Sequence, residues 1–286
     1  MWRGPYIGFM ASSEALDLKL LPGARELLAW HERELPQRDD LCGAFCGALA
    51  LGAAGIERWD DERIDQDTVA LAAGSVVSRI PDTGSLPHGE RGRRDYRLSI
   101  PLIDEEGRSG TSAGGLAQAI EEISAARLAA IPYAGPWTAD TLAGLFDLLA
   151  ALPRAVTLVA NIATRHLWGS SAPLALMLDH LLGGELAGPP ADWDVGHYAC
   201  VIGRASGPGG ALYAIADTYP SLGSSGVHVQ PGELLARALE RREMPAGGMF
   251  AVVSRDDAPA VRAGAEEIGL REEIWDNGTV IAKTPR

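Results

Sequence analysis

The sequence predicts an α+β fold in which an N-terminal helical lobe packs on a mostly antiparallel sheet. Three observations carry this prediction. Apolar residues at helical spacing dominate the first half of the chain, short β-branched and aromatic runs dominate the second, and the glycine-rich "ASGPGG" between two of those runs reads as a hairpin turn. With 286 residues, 47% of them hydrophobic, the chain can bury a substantial core. It reads as a single domain over 1–286, with the helical lobe over about 1–152 and the sheet lobe over about 153–286. Residues 80–110 are its most loop-like interval and a candidate division between lobes.

Taken in order, the first helix is expected over 42–54, with Asp39 or Asp40 capping its free amides and Gly55 ending it. A second, 113–127, follows the Thr111-Ser112 pair, which has N-cap character. Two more are expected over 139–152 and 172–183. Strands are expected at 155–162 ("AVTLVANI"), 196–204 ("GHYACVIGR") and 211–219 ("ALYAIADTY"). The chain then closes with a strand at "MFAVVSR", a helix at "APAVRAGAEEIG" and a hairpin of "REEIW" and "TVIAK" about the Asn277-Gly278 turn. Asn277 formally opens a glycosylation acceptor, but without a secretory signal the turn is the better reading. No internal repeat or low-complexity tract is present.

Composition excludes several classes of function. A net charge of −13 argues against nucleic acid as a partner, and the one basic stretch, "RGRRDYR" at 91–97, reads as a solvated loop. Three cysteines, Cys42, Cys46 and Cys200, are too few for a disulfide framework and imply a reducing compartment. The first 21 residues lack the apolar block of a signal peptide, and no segment reaches about 18 uninterrupted apolar residues, so a cytoplasmic protein with no membrane partner is expected. The only lysines are Lys19 and Lys283, and neither follows a phosphate-cradling glycine loop. No cofactor is therefore expected, and composition leaves the oligomeric state open.

The chemistry-bearing residues begin with Cys42. A thiol in the first turn of a helix is favoured as thiolate by the unpaired N–H groups and the helix dipole. Cys46, one turn further in, has less of that help and suits a core position, though both cysteines remain open as the nucleophile. A thiolate needs a base, and His197 follows Gly196 at the start of an apolar strand. Asp217 falls near the end of the next strand, within cross-strand reach of that imidazole. A zinc set of Cys42, Cys46, His197 and Cys200 would need residues three apart on a strand to point the same way, so no metal is expected. The "GTSAG" around Ser112 matches a nucleophile elbow, with Asp179 or Asp194 as the acid, but the charged "IDEEGRS" before it favours a helix cap. Trp168 and Trp193 suit either a substrate cleft or packing.

In order along the chain, "Q", "CGAFCGALALGAAG", "GTSAGGLAQAI", "AVTLVAN", "GHYACVIGR" and "YAIADTYP" resemble the bacteriocin-processing, double-glycine-leader branch of the papain-like cysteine peptidases over about residues 37–220. The resemblance implies a papain-like fold, with Cys42 as nucleophile, His197 as general acid and base, Asp217 as its orienter and Gln37 as oxyanion-hole donor beside the Cys42 N–H. It implies cleavage of a peptide amide through a thioester, a leader peptide being one substrate, with a peptide or protein as partner. A cyclase or amide transferase using the same thiol, a peptide-binding module without activity, and a serine hydrolase using Ser112 are the alternatives.

Overall fold

The computed structural model describes residues 16–105 and 107–282, so the first 15 residues read for a signal sequence, and Lys283, lie outside the described residues. Helices α1 (Ala24–Glu34) and α2 (Cys42–Ala53) pack against each other in the first half of the chain. Every residue of α2 after Cys42 is buried, which its all-round apolar composition requires of a central helix. It ends as expected: Gly55 adopts φ +73°, its N–H donates to Gly52 O, and the Ile56 N–H donates to Leu51 O, a Schellman closure. Glycines let its neighbours close in, since a Cβ on Gly52 would lie 2.2 Å from the Trp30 indole of α1.

Helices α3 (Gln66–Ala72) and α4 (Ala113–Ile123) complete this layer. Ser112 caps α4 as predicted, accepting from Gly115 N at 3.0 Å. The helix stops four residues short of its expected end at 127, because Ala125 and Ala126 turn to φ +50° and +57°.

One antiparallel sheet of seven strands runs through the centre. Its strands are β1 (Asp17–Leu20), β2 (Leu128–Tyr133), β3 (Thr157–Ala163), β4 (Gly196–Gly207), β5 (Gly210–Ala216), β6 (Val227–Pro231) and β7 (Gly248–Ser254). They lie in the order β6-β5-β4-β3-β7-β2, and β1 pairs with the far half of β4, past a bulge at Val201–Gly203. The hairpin expected at "ASGPGG" joins β4 to β5, closing on the Gly207–Gly210 pair. The α+β class and the mostly antiparallel sheet thus follow the sequence. The sheet is not confined to residues after 153, however: β1 and β2 come from the earlier half.

Alternation along the strands explains the layering. Val159, Cys200, Ile202, Phe250 and Val252 pack with α2 and its neighbours. The intervening Leu158, Val201, Met249, Ala251 and Val253 pack on the opposite face under helices α5 (Ala139–Ala150), α7 (Gly232–Glu240) and α8 (Ala258–Glu267). The sheet is therefore covered on both faces. The remaining helix, α6 (Leu174–Leu181), seats Leu181 on Leu212 and Trp168 in a small separate cluster. Among the described residues no helix is long and apolar enough to cross a membrane.

Two expectations fail for identifiable reasons. The closing hairpin does not form. Residues 271–273 bond the end of β2 and the residues after it, while Val280 N and Ala282 N donate to Arg108 O and Gly74 O, so the two halves go to different neighbours, and Trp275 turns inward onto Phe250, ring centroids 4.6 Å apart. Asn277 then spends its side-chain amide on Thr111 O at 3.0 Å instead of forming a turn between strands. The 91–97 stretch is not simply solvated either. Its arginines brace neighbouring segments: Arg93 Nη1 donates to Pro36 O at 2.9 Å in the chain leading into α2, and Arg97 pairs through Nε with Asp65 Oδ2, the N-cap of α3, at 2.9 Å.

Candidate active site

Cys42 opens α2 on the edge of a cleft of about 650 Å³ that also takes in Gln37, His197, Trp193 and Arg241. The expected cap is absent, since Leu41 occupies the N-cap and no side chain bonds the first turn. Asp40 instead takes φ +66° and accepts from Ser78 N at 2.7 Å, while Asp39 Oδ1 accepts from Arg93 N at 2.8 Å. The first intrahelical bond runs from Phe45 N to Leu41 O, so the N–H groups of the opening turn are left to act on the Cys42 sulfur. Cys42 is partly exposed, whereas Cys46 is wholly buried against Cys200 and its thiol is pushed up by that burial and by the neighbouring sulfur. Of the two cysteines, Cys42 is the one that reaches the cleft.

Folding β4 against β5 brings His197 and Asp217 together, as cross-strand reasoning predicts. His197 Nε2–H donates to Asp217 Oδ1 at 2.9 Å, and both side chains are 2% exposed. Burial works against a charged imidazole here, but the Asp217 charge and hydrogen bond, together with the adjacent Cys42 thiol, outweigh it and raise His197 to about 10. Burial likewise works against the Asp217 carboxylate. The charge of His197 and bonds from His197 and His228 prevail, and hold it well below the usual carboxylate range.

Several partners of this pair were not legible beforehand. Asp217 Oδ1 also accepts from Thr218 N at 2.7 Å, and Oδ2 accepts from His228 Nε2 at 3.2 Å. The tautomer of His228 follows from Gln230. Gln230 Oε1 accepts from Trp168 N at 2.7 Å, which turns its amide nitrogen to Trp168 O at 2.9 Å and to His228 Nδ1 at 3.0 Å. His228 Nδ1 must therefore accept, and its proton sits on Nε2, facing Asp217. His31, from α1, donates from Nε2 to the Asp217 carbonyl at 2.5 Å; burial lowers its pKa despite that bond. Trp193 covers the His197 ring edge-on at 4.7 Å between centroids. Of the two tryptophans singled out, Trp193 lines the cleft, and Trp168 packs in the α6 cluster with Nε1 bonded to Leu186 O.

Gln37 is tied to the far wall twice. Its N–H donates to Thr218 O at 2.9 Å, and its Oε1 accepts from the Thr218 hydroxyl at 2.5 Å. That second bond fixes the amide, leaving Nε2 as a donor in the cleft shared with Cys42. The loop between Gln37 and Cys42 is held by the arginine strap, by Arg38 N to Gln66 Oε1 at 2.6 Å, and by Tyr96 OH to Asp39 O at 3.1 Å.

The competing sites do not gather comparable partners. Ser112 keeps its Oγ on Gly115 N, and among the described residues no histidine bonds it. Asp194, one proposed acid, pairs with Arg165 at 2.8 Å. Among the described residues no group of three or more histidine, cysteine or acidic side chains is arranged to hold a metal ion.

The signals for the missed residues lay in strand periodicity. His228 and Gln230 are two apart in "VHVQP" and share one face of β6, and Thr218 adjoins Asp217. Comparison with curated proteins finds no match. A family model spans residues 21–276, nearly all of the described chain, including Gln37, Cys42, His197, Asp217 and Arg241, and by that match the protein belongs to DUF6885, a family of unknown function.

Proposed function

We propose that this protein is a papain-like thiol enzyme that cleaves a peptide amide bond through a thioester intermediate. The observation that carries the reading is the convergence of Cys42, at an uncapped helix tip, with the buried His197–Asp217 pair on one cleft. The helix-borne thiol packed on an antiparallel sheet that supplies the imidazole supports the papain-like assignment.

In this reading the Cys42 thiolate attacks the scissile carbonyl carbon while His197 is the imidazolium. The carbonyl π electrons move to oxygen, where the Cys42 N–H and Gln37 Nε2 donate to the oxyanion. The C–N bond then breaks as His197 passes its proton to the departing amine, leaving a thioester and a neutral ring. His197 next takes a proton from water, whose hydroxyl attacks the thioester and expels the thiolate. An amine entering in place of water would give transfer or cyclisation by the same steps. Asp217 stays ionised throughout and holds the ring by its Nε2–H.

The test is alkylation by iodoacetamide followed by digestion of a mixed peptide pool. We expect Cys42 alone to be labelled in the native protein, with a rate at about pH 6 well above that of free cysteine and at least about tenfold lower in His197→Ala. Peptide turnover should fall at least about 100-fold in Cys42→Ala and in His197→Ala. A rate at pH 6 equal to free cysteine and indifferent to His197, or labelling of Ser112 by a fluorophosphonate, would end the proposal.

A further inference from the structure

Arg241 stands in the same cleft without a role in that chemistry. It follows α7 in the left-handed conformation, φ +44°, which a non-glycine residue adopts at a cost. The residue is buried, only 5% exposed, yet among the described residues no carboxylate pairs with it. A buried guanidinium is ordinarily matched by an acid.

The slot that holds it is purpose-shaped. A Cβ on Gly196, the residue before His197, would lie 2.4 Å from Arg241 Nη2, and one on Gly247 would lie 2.3 Å from its Cδ. Nη1 donates to Asn161 Oδ1, which turns the Asn161 amide nitrogen outward as a further donor. Nε is buried without an acceptor, and no bond to Nη2 occurs among the described residues. Nε–H and Nη2 form the edge of a guanidinium that grips a carboxylate side-on.

The cleft's other charges are already engaged. Asp39 and Asp40 accept backbone N–H groups, Asp82 Oδ1 accepts from Gly84 N at 3.0 Å, and Asp104 pairs with Arg79 at 2.6 Å. Arg94 spends its guanidinium on the carbonyls of Ser78 and Arg79.

We propose that Arg241, steered by Asn161 and seated between Gly196 and Gly247, binds a substrate carboxylate beside the reacting sulfur. The inference deepens the thiol-enzyme reading and rests on it for calling the ligand a substrate. The carboxylate is either the C-terminus of a peptide or the side chain of a neighbouring Asp or Glu.

Two measurements test it. Iodoacetate and iodoacetamide share the reacting iodine-bearing carbon and differ in the group attached to it, a carboxylate in one and a neutral amide in the other, so a change in the ratio of their rates at Cys42 reads the local cation. Arg241→Met should lower the iodoacetate rate about tenfold or more while leaving iodoacetamide within about twofold, and Arg241→Lys should restore part of the difference. Equal loss with both reagents would assign Arg241 to the sulfur and overturn the proposal. The second measurement does not need a reactive thiol. Calorimetric titration of the Cys42→Ala protein compares three acetylated tripeptides: a free acid, its amide, and an amide carrying an internal Glu. Tighter binding of either anionic peptide, by about tenfold and lost in Arg241→Met with an unchanged melting temperature, supports the proposal and identifies which carboxylate is read. Equal binding of all three overturns it, even if Cys42 proves reactive. Conversely, an inert Cys42 with anion-selective binding would sink the enzyme reading and leave the carboxylate site standing.

Discussion

Replacing Asp217 by Asn keeps the shape of the side chain and removes its charge. The native carboxylate accepts from His197 at 2.9 Å, from Thr218 N at 2.7 Å and from His228 at 3.2 Å. An asparagine has one acceptor oxygen, so at least one of these donors would face an N–H₂ group. The rise of His197 from 6.5 to about 10 corresponds to roughly 5 kcal/mol in favour of the imidazolium, a ceiling because Cys42 contributes to it. His197 has its folded pKa raised, so its contribution is complete below about pH 6.5 and is lost as pH climbs through about 10. Asp217 has its folded pKa lowered, so its contribution is present above the ordinary carboxylate range and is lost as pH falls through the depressed value. Urea denaturation of native and Asp217→Asn protein should therefore differ most between about pH 4 and 6.5, by about 3–5 kcal/mol, and by much less at about pH 10. The His197 ring resonance should also titrate below about 7 in the variant, where burial acts without its counter-charge. A stability difference that stays constant within about 0.5 kcal/mol from pH 5.5 to 10 would refute the coupling of this pair.

Two further substitutions probe the support around the pair. Gln230→Leu removes a wholly buried amide that bonds both polar atoms of the Trp168 backbone and His228 Nδ1, and should cost about 2–4 kcal/mol in urea denaturation while reducing turnover of any peptide substrate more through kcat than through KM. Gly43→Ala would place a Cβ 2.9 Å from Thr111 Cβ and 3.1 Å from the Tyr198 ring, so we expect a loss of about 1–3 kcal/mol by the same measurement. A gain, as helix propensity alone would give an alanine, would show that the packing argument is mistaken.

The elements read most clearly from sequence were those with a strong local period and a terminator of their own. Helix α2 ended at Gly55, and β4 and β5 met across their glycine turn, because short-range chemistry decides both. The features that failed depend on distant chain. Asp39 and Asp40 carry the right chemistry for a cap, but the arginine strap and Ser78 claim them, and nothing near position 40 announces those partners. The last hairpin had a good turn, but its two halves are claimed by different stretches of distant chain, residues 271–273 by the edge of β2 and residues 280–282 by Arg108 and Gly74. Within the site, Cys42, His197 and Asp217 were marked by position and Gln37 by the family resemblance alone, and the structure brings all four to one cleft or its immediate wall. His228, Gln230 and Arg241 were not marked. The first two act through a register that sequence does not fix, and the third is defined by a space that two glycines leave around it.

The order in which the chain is made gives the double tie between Gln37 and Thr218 a further meaning. The thiol is synthesised early and the imidazole beside it more than a hundred residues later, after β2 and β3 but before β5, β6 and β7. Until β5 has docked, Cys42 has no His197–Asp217 pair beside it. Contacts so remote along the chain form late, so under the proposed thiol-enzyme reading a nascent or truncated copy would lack the assembled site.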